Sequence, residues 1–197
     1  MSVVLVTGAS TGIGQTTSLH LASKGHKVFA GVRSPDTAHE LRERIATEGG
    51  SVALIQLDVT DQASVDSAVQ QIMDEEGRID VLVNNAGVGG GRAVEETPLE
   101  EVRGVFETNY FGISRMLLAI TPIMRKQRGG RIVNMSSPAG RMVFGCHGHY
   151  SAAKWALDEK RFNPPNIEAR PSASGARRRS YTRGSEVGDR YRPSLKP

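Results

Sequence analysis

The chain has 197 residues, 38% of them hydrophobic and 22 of them glycine, enough for one loop-rich domain with a sizeable core. Its net charge of +4 is uneven: residues 1–158 hold 15 Lys/Arg against 17 Asp/Glu, while residues 159–197 hold 10 against 4. The mildly acidic body suggests no nucleic-acid partner, no apolar run approaches the ~20 residues that cross a membrane, and a single cysteine, Cys146, excludes an intrachain disulfide and a cysteine-based zinc site.

Residues 2–6 are too short for a signal-peptide core and follow no basic residues, so a cytoplasmic protein is expected. Val3-Val4-Leu5-Val6 reads as a buried strand. Thr7-Gly8-Ala9-Ser10-Thr11-Gly12-Ile13-Gly14 follows it, then a helical stretch over 15–23. Strand, glycine turn and helix in that order make a pyrophosphate site. Glycines let the backbone turn sharply and approach the phosphates, and the helix N-terminus offers N–H groups and a positive dipole end. The spacing is Gly-x-x-x-Gly-x-Gly, and here the sequence resembles the short-chain dehydrogenase/reductase family. The resemblance implies that Gly8, Ser10, Gly12, Ile13 and Gly14 contact a nicotinamide cofactor.

Residues 28–32 read as the second strand. A carboxylate at its end would bond the ribose hydroxyls of NAD and repel a 2′-phosphate. This chain has Gly31-Val32-Arg33-Ser34 instead. Arg33 can pair with a 2′-phosphate, and family members with Arg here tend to use NADP, so NADP is expected over NAD. Ser34-Pro35 has the form of an N-cap with Pro at the first helical position. Residues 52–55 make a third strand, and Asp58 after it matches the family position that touches the adenine. Val65, Val69, Ile72 and Met73 repeat at helical spacing.

Residues 81–83 are a fourth strand, followed by Asn84-Asn85-Ala86-Gly87. By resemblance Asn84 braces the sheet, and Asn85, Ala86 and Gly87 adjoin the cofactor. Val102, Phe106, Asn109, Ile113 and Leu117 share one helical stripe, with the polar Asn109 set among apolar side chains. Residues 132–135 form a fifth strand. Five continuous apolar runs alternating with helical patterns predict a doubly wound parallel sheet of the Rossmann type; the resemblance implies that its C-terminal part is incomplete.

Reducing a carbonyl by hydride transfer needs a proton donor at the oxygen. A tyrosine, which ordinarily titrates near pH ~10, serves if a nearby cation makes it more acidic. Tyr150 and Lys154 lie four residues apart, on one helix face, and are the only Tyr-x-x-x-Lys in the chain. Ser137 lies thirteen residues before Tyr150, the spacing found in the family, and is preferred to Ser136 as the hydroxyl that holds the substrate oxygen. The resemblance completes the quartet with Asn109, as anchor of a water that relays protons to Lys154, and also places Tyr150 and Lys154 against the cofactor. His147 and His149 have no evident third ligand and are read as lining a substrate pocket rather than holding a metal. Met142, Val143 and Phe144 make that entry apolar. Trp155 is read as packing.

The resemblance covers residues 1–158 and stops inside the helix that carries Tyr150 and Lys154. Residues 159–197 hold five prolines, five serines and eight arginines and have no periodicity. That composition predicts a disordered or loosely packed tail, and its abrupt onset suggests an out-of-frame reading of a GC-rich coding sequence. The expected function is transfer of a hydride between NADP(H) and a small alcohol or ketone, with no oligomeric state assigned. Two other readings stand beside it. One is an impaired remnant that at most binds nucleotide. The other is a nucleic-acid-binding arm made by the arginine-rich tail.

Overall fold

The computed structural model describes residues 1–142 and 144–159; the expectations for Val143 and for 160–197 lie outside them. Five parallel strands form one sheet in the order β3-β2-β1-β4-β5. They are β1 (Val3–Thr7), β2 (Lys27–Val32), β3 (Val52–Gln56), β4 (Val81–Asn84) and β5 (Arg131–Asn134). The α-helices between and after them are α1 (Gly12–Ser23), α2 (His39–Glu48), α3 (Gln62–Glu76), α4 (Leu99–Phe106), α5 (Ile113–Gln127) and α6 (Gly148–Glu159).

Strand alternation explains why the apolar runs are continuous. Leu5, Phe29, Ile55 and Leu82 pack on one face with Val65 and Ile72 of α3 and Met116, Ile120 and Met124 of α5. Val4, Val6, Val28, Ala30 and Val83 point to the other face, against Leu19 and Ala22 of α1 and Leu41 of α2. Both faces of the central strands are therefore covered, and every second residue has a different core to join. The outer strand differs: Val133 of β5 is 38% exposed. No described helix is long and apolar enough to cross a membrane.

Two local expectations are corrected. Ser34 takes the N-cap position and Pro35 follows as the first helical residue, but of a single 3-10 turn, Pro35–Thr37, with no side-chain cap bond; α2 begins only at His39. The Thr37 hydroxyl donates to Ser34 O and Arg42 Nε to Pro35 O, bonds that compete with a continuing α-helix. The stripe over 102–117 is not one uniform helix either. A π-helical segment, Glu107–Gly112, separates α4 from α5. Its wider turn adds a residue, so the fully buried position upstream is Val105, while Asn109, Ile113 and Leu117 are buried as expected.

Asp80 ties the starts of β1 and β4 together. Its Oδ2 accepts from Val3 N at 2.8 Å, and Arg78 bonds its carboxylate side-on. Partial burial pushes the Asp80 carboxyl up, but the bonds from Arg78 and Val3 and the Arg78 charge outweigh it and hold it below the usual carboxylate range. A depressed carboxyl contributes stability that is present above its unfolded value, ~3.9, and is lost as pH falls through the lower folded value. The stability gap between wild type and Asp80→Asn, read by urea unfolding, is therefore expected to be constant near neutrality and to close only below about pH 4.

Candidate active site

The strand order reverses direction between β1 and β4, so the C-terminal ends of these strands open a crevice. Thr7, the last residue of β1, fixes that opening. Its hydroxyl accepts from the backbone N–H groups of Asn85 and Ala86, both at 3.0 Å. Asn85 returns the tie, its Nδ2 donating to Thr7 O and Gly8 O. Thr7 opens the glycine motif in the sequence but has no role assigned there; the available signal was a polar residue ending an apolar strand.

The glycine turn is required by space and by backbone angle. Gly8 has φ +64°, and a Cβ there would lie 2.7 Å from Ala86 Cα. At Gly14 it would lie 2.4 Å from Gly8 O. Gly12 has φ +60° but faces open space, so its constraint is conformational. The N-terminus of α1 has no acidic residue in its first turn, and Thr11 does not cap it with its side chain. A cleft of about 370 Å³ opens there.

Gly8, Ser10 and Ile13 line this cleft from the turn, Asn85, Ala86 and Gly87 from the end of β4, and Arg33 and Asp58 from the ends of β2 and β3. Gly12 and Gly14 shape the turn rather than the wall. The cleft also takes in Val32, Thr60 and Thr108, which sequence reasoning missed because nothing in their spacing marks them. Arg33 is exposed and makes no hydrogen bond or ion pair with any described residue. Asp58 Oδ1 accepts from both the backbone N–H and the hydroxyl of Thr60, which fixes the carboxylate at the rim. A glycine cradle that a Cβ would fill, an uncapped helix N-terminus and an unpaired arginine fit a dinucleotide carrying an extra phosphate.

Lys154 is 5% exposed, and its Nζ donates to Met135 O at 3.1 Å. It lies 5.8 Å from the centre of the Tyr150 ring and 3.6 Å from where a Cβ on Gly87 would be. Asn109, fully buried in the π segment, reaches the same point: its Oδ1 is 3.1 Å from that Cβ. Gly87 is thus the junction of cleft, lysine and asparagine. The Asn109 amide is bonded at both ends to Val88, accepting from its N–H and donating to its carbonyl, each at 2.8 Å. Asn109→Ala strips both partners from that backbone and is expected to cost about 1–3 kcal/mol in urea unfolding.

Ser137 caps the 3-10 turn Pro138–Gly140, accepting from Ala139 N at 3.2 Å, and that turn packs on α6. Among the described residues no hydrogen bond joins Ser137 to Tyr150. Asn84 donates to Asn134 Oδ1 across β4 and β5, a brace between strands. Trp155 is 46% exposed and does not pack in the core; it follows Lys154 by one residue, and successive helical residues point about 100° apart. The described residues contain no group of three or more His, Cys, Asp or Glu side chains placed to hold a metal.

A parallel sheet of this order with a glycine turn at its switch point defines a Rossmann-type fold. A family model described as short chain dehydrogenase matches residues 2–159, and the chain belongs to that family of oxidoreductases. It is 44% identical over 156 residues to a 3-ketodihydrosphingosine reductase of Bacteroides thetaiotaomicron, covering 79% of this chain and 54% of that one. It is 39% identical over 153 residues to a 3-oxoacyl-(acyl-carrier-protein) reductase of Synechocystis, covering 77% and 62%. Among solved structures it resembles a metagenomic short-chain oxidoreductase in complex with NADP at TM-score 0.74 and 31% identity, over 80% of this chain and 72% of that one. It also resembles an actinorhodin polyketide ketoreductase with NADPH at TM-score 0.76 and 32% identity, over 79% and 60%. The chain spans a little over half the length of the curated relatives it matches.

Proposed function

We propose that this protein reduces a ketone to a secondary alcohol with NADPH. The observation that carries the reading is the meeting of Lys154 and Asn109 at Gly87, which lines the cleft, with Tyr150 beside the lysine. NADPH supplies the hydride when bound. Tyr150 gives its phenolic proton to the carbonyl oxygen, and the lysine cation beside it favours the ionised phenolate that results. The Ser137 hydroxyl holds the carbonyl oxygen. Asn109 keeps the second hydrogen of its Nδ2 for a water that returns a proton toward Lys154. Gly8, Gly12 and Gly14 admit the pyrophosphate, Asp58 meets the adenine and Arg33 pairs with the 2′-phosphate.

The substrate class follows from the relatives, two of which are named for 3-keto or 3-oxo compounds. A 3-oxo compound is the first candidate. Consumption of NADPH on adding such a compound, with a 3-hydroxy product, supports the reading. No product from any of a panel of 3-oxo compounds and simple ketones contradicts it.

The half-exposed Val133 favours one second reading. The outer edge of β5 is open among the described residues, next to the strand end that precedes Ser137. A protein that binds the nucleotide in its covered half without turning over would show NADPH binding and no product.

A further inference from the structure

A second cavity adjoins Tyr150. Gly90, Gly91, Arg92 and Glu101 line one side, and His147 to Tyr150 the other. It holds about 10 Å³, room for one water-sized group rather than a chain.

His147 dominates its chemistry. The ring Nδ1 lies 2.9 Å from Gly145 O. A carbonyl can only accept, so Nδ1 carries the hydrogen, and in the neutral ring Nε2 is left as a bare acceptor. The ring centre lies 6.5 Å from that of Phe144 and 6.3 Å from that of Tyr150, both edge-on. Nε2 faces the glycine run: a Cβ on Gly91 would lie 3.9 Å from it. Glu101 adds a second acceptor to the wall, with Arg92 at 3.8 Å offsetting its charge. An acceptor nitrogen fixed beside the proton donor, facing a space of one heavy atom, suits a donor on the substrate.

We propose that this notch is a subsite for a hydrogen-bond-donating substituent, a hydroxyl or an amine, carried on a carbon close to the reacting carbonyl and received by His147 Nε2. The inference rests on Tyr150 as the proton donor to that carbonyl. It makes the enzyme selective for hydroxy- or amino-ketones over plain ketones of the same length.

The test compares a 1-hydroxy-2-alkanone and a 1-amino-2-alkanone with the parent 2-alkanone. Wild type is expected to favour a donor-bearing ketone by about tenfold in kcat/KM, the worth of one well-placed hydrogen bond. In His147→Leu the ratio falls to about one, and in His147→Gln, which keeps an acceptor oxygen, part of it returns. The hydroxy and amino arms tell which donor is preferred. Absence of any preference in wild type, or its survival in His147→Leu, overturns the proposal. A second measurement does not depend on turnover. In side-chain nitrogen NMR of the wild-type protein, the hydroxy- or amino-ketone is expected to shift His147 Nε2 while the parent alkanone leaves it in place. No shift with either, or a hydrogen found on Nε2 with Nδ1 bare, overturns the subsite even if ketone reduction itself succeeds. A shift without any reduction leaves the subsite standing and removes the catalytic reading.

Discussion

Tyr150→Phe lowers the rate of ketone reduction by ~10²–10⁴-fold, the usual contribution of a positioned proton donor, while NADPH binding stays within about twofold of wild type. The substitution removes one oxygen and keeps the ring, so its contact with the His147 ring is preserved. The half-buried Tyr150 hydroxyl bonds to no described residue, so its loss leaves no described group without a partner. The expected effect therefore falls on the chemical step. Lys154→Met is a different case. It removes a buried cation that donates to Met135 O, so some loss of stability accompanies its loss of rate, and unfolding must be measured with it. Stopped-flow loss of nicotinamide absorbance separates the two variants from a cofactor-binding defect. A Tyr150→Phe protein as active as wild type would remove the tyrosine from the mechanism.

Arg33→Glu reverses the cofactor preference. Wild-type Arg33 is exposed, unpaired among the described residues and set on the wall of the cleft at the end of β2. A charge-assisted bond to the 2′-phosphate at such a place is worth about 2–3 kcal/mol, or roughly 30- to 150-fold in Kd. A carboxylate there repels that phosphate and accepts from the ribose hydroxyls, so NADPH affinity falls by at least that factor while NADH affinity rises. Because Arg33 has no partner among the described residues, the exchange is expected to leave the unfolding midpoint close to wild type. Equal loss of both cofactors would mean that the residue shapes the turn instead of reading the phosphate.

The sheet was legible because burial on both faces forces unbroken apolar strands. Leu5 and Val4 join different cores, so neither can be polar. The glycine turn was legible for a related reason: Gly8 and Gly14 lack room for a Cβ, and only one residue type meets that condition. Phase errors arose where one turn departs from regular geometry. The π segment around Asn109 adds a residue that no 3.6-residue period reveals, and the turn that Ser34-Pro35 opens ends at Thr37. The roles of Thr7 and Val88 escaped notice because their partners, Asn85 with Ala86 and Asn109, lie 78, 79 and 21 residues away in sequence; Thr60 bonds Asp58 two residues off, and nothing in that spacing marks it. Trp155 was misplaced because a neighbour in sequence is not a neighbour on a helix.

The central claim is that the glycine turn and Arg33 together make an NADP site. The most direct test is calorimetric titration of the full chain with NADPH and, separately, with NADH. Saturable binding of NADPH at one site is expected, with NADH weaker by roughly 30- to 150-fold. Equal affinity for the two would contradict the role of Arg33, and heat from neither would contradict the site itself.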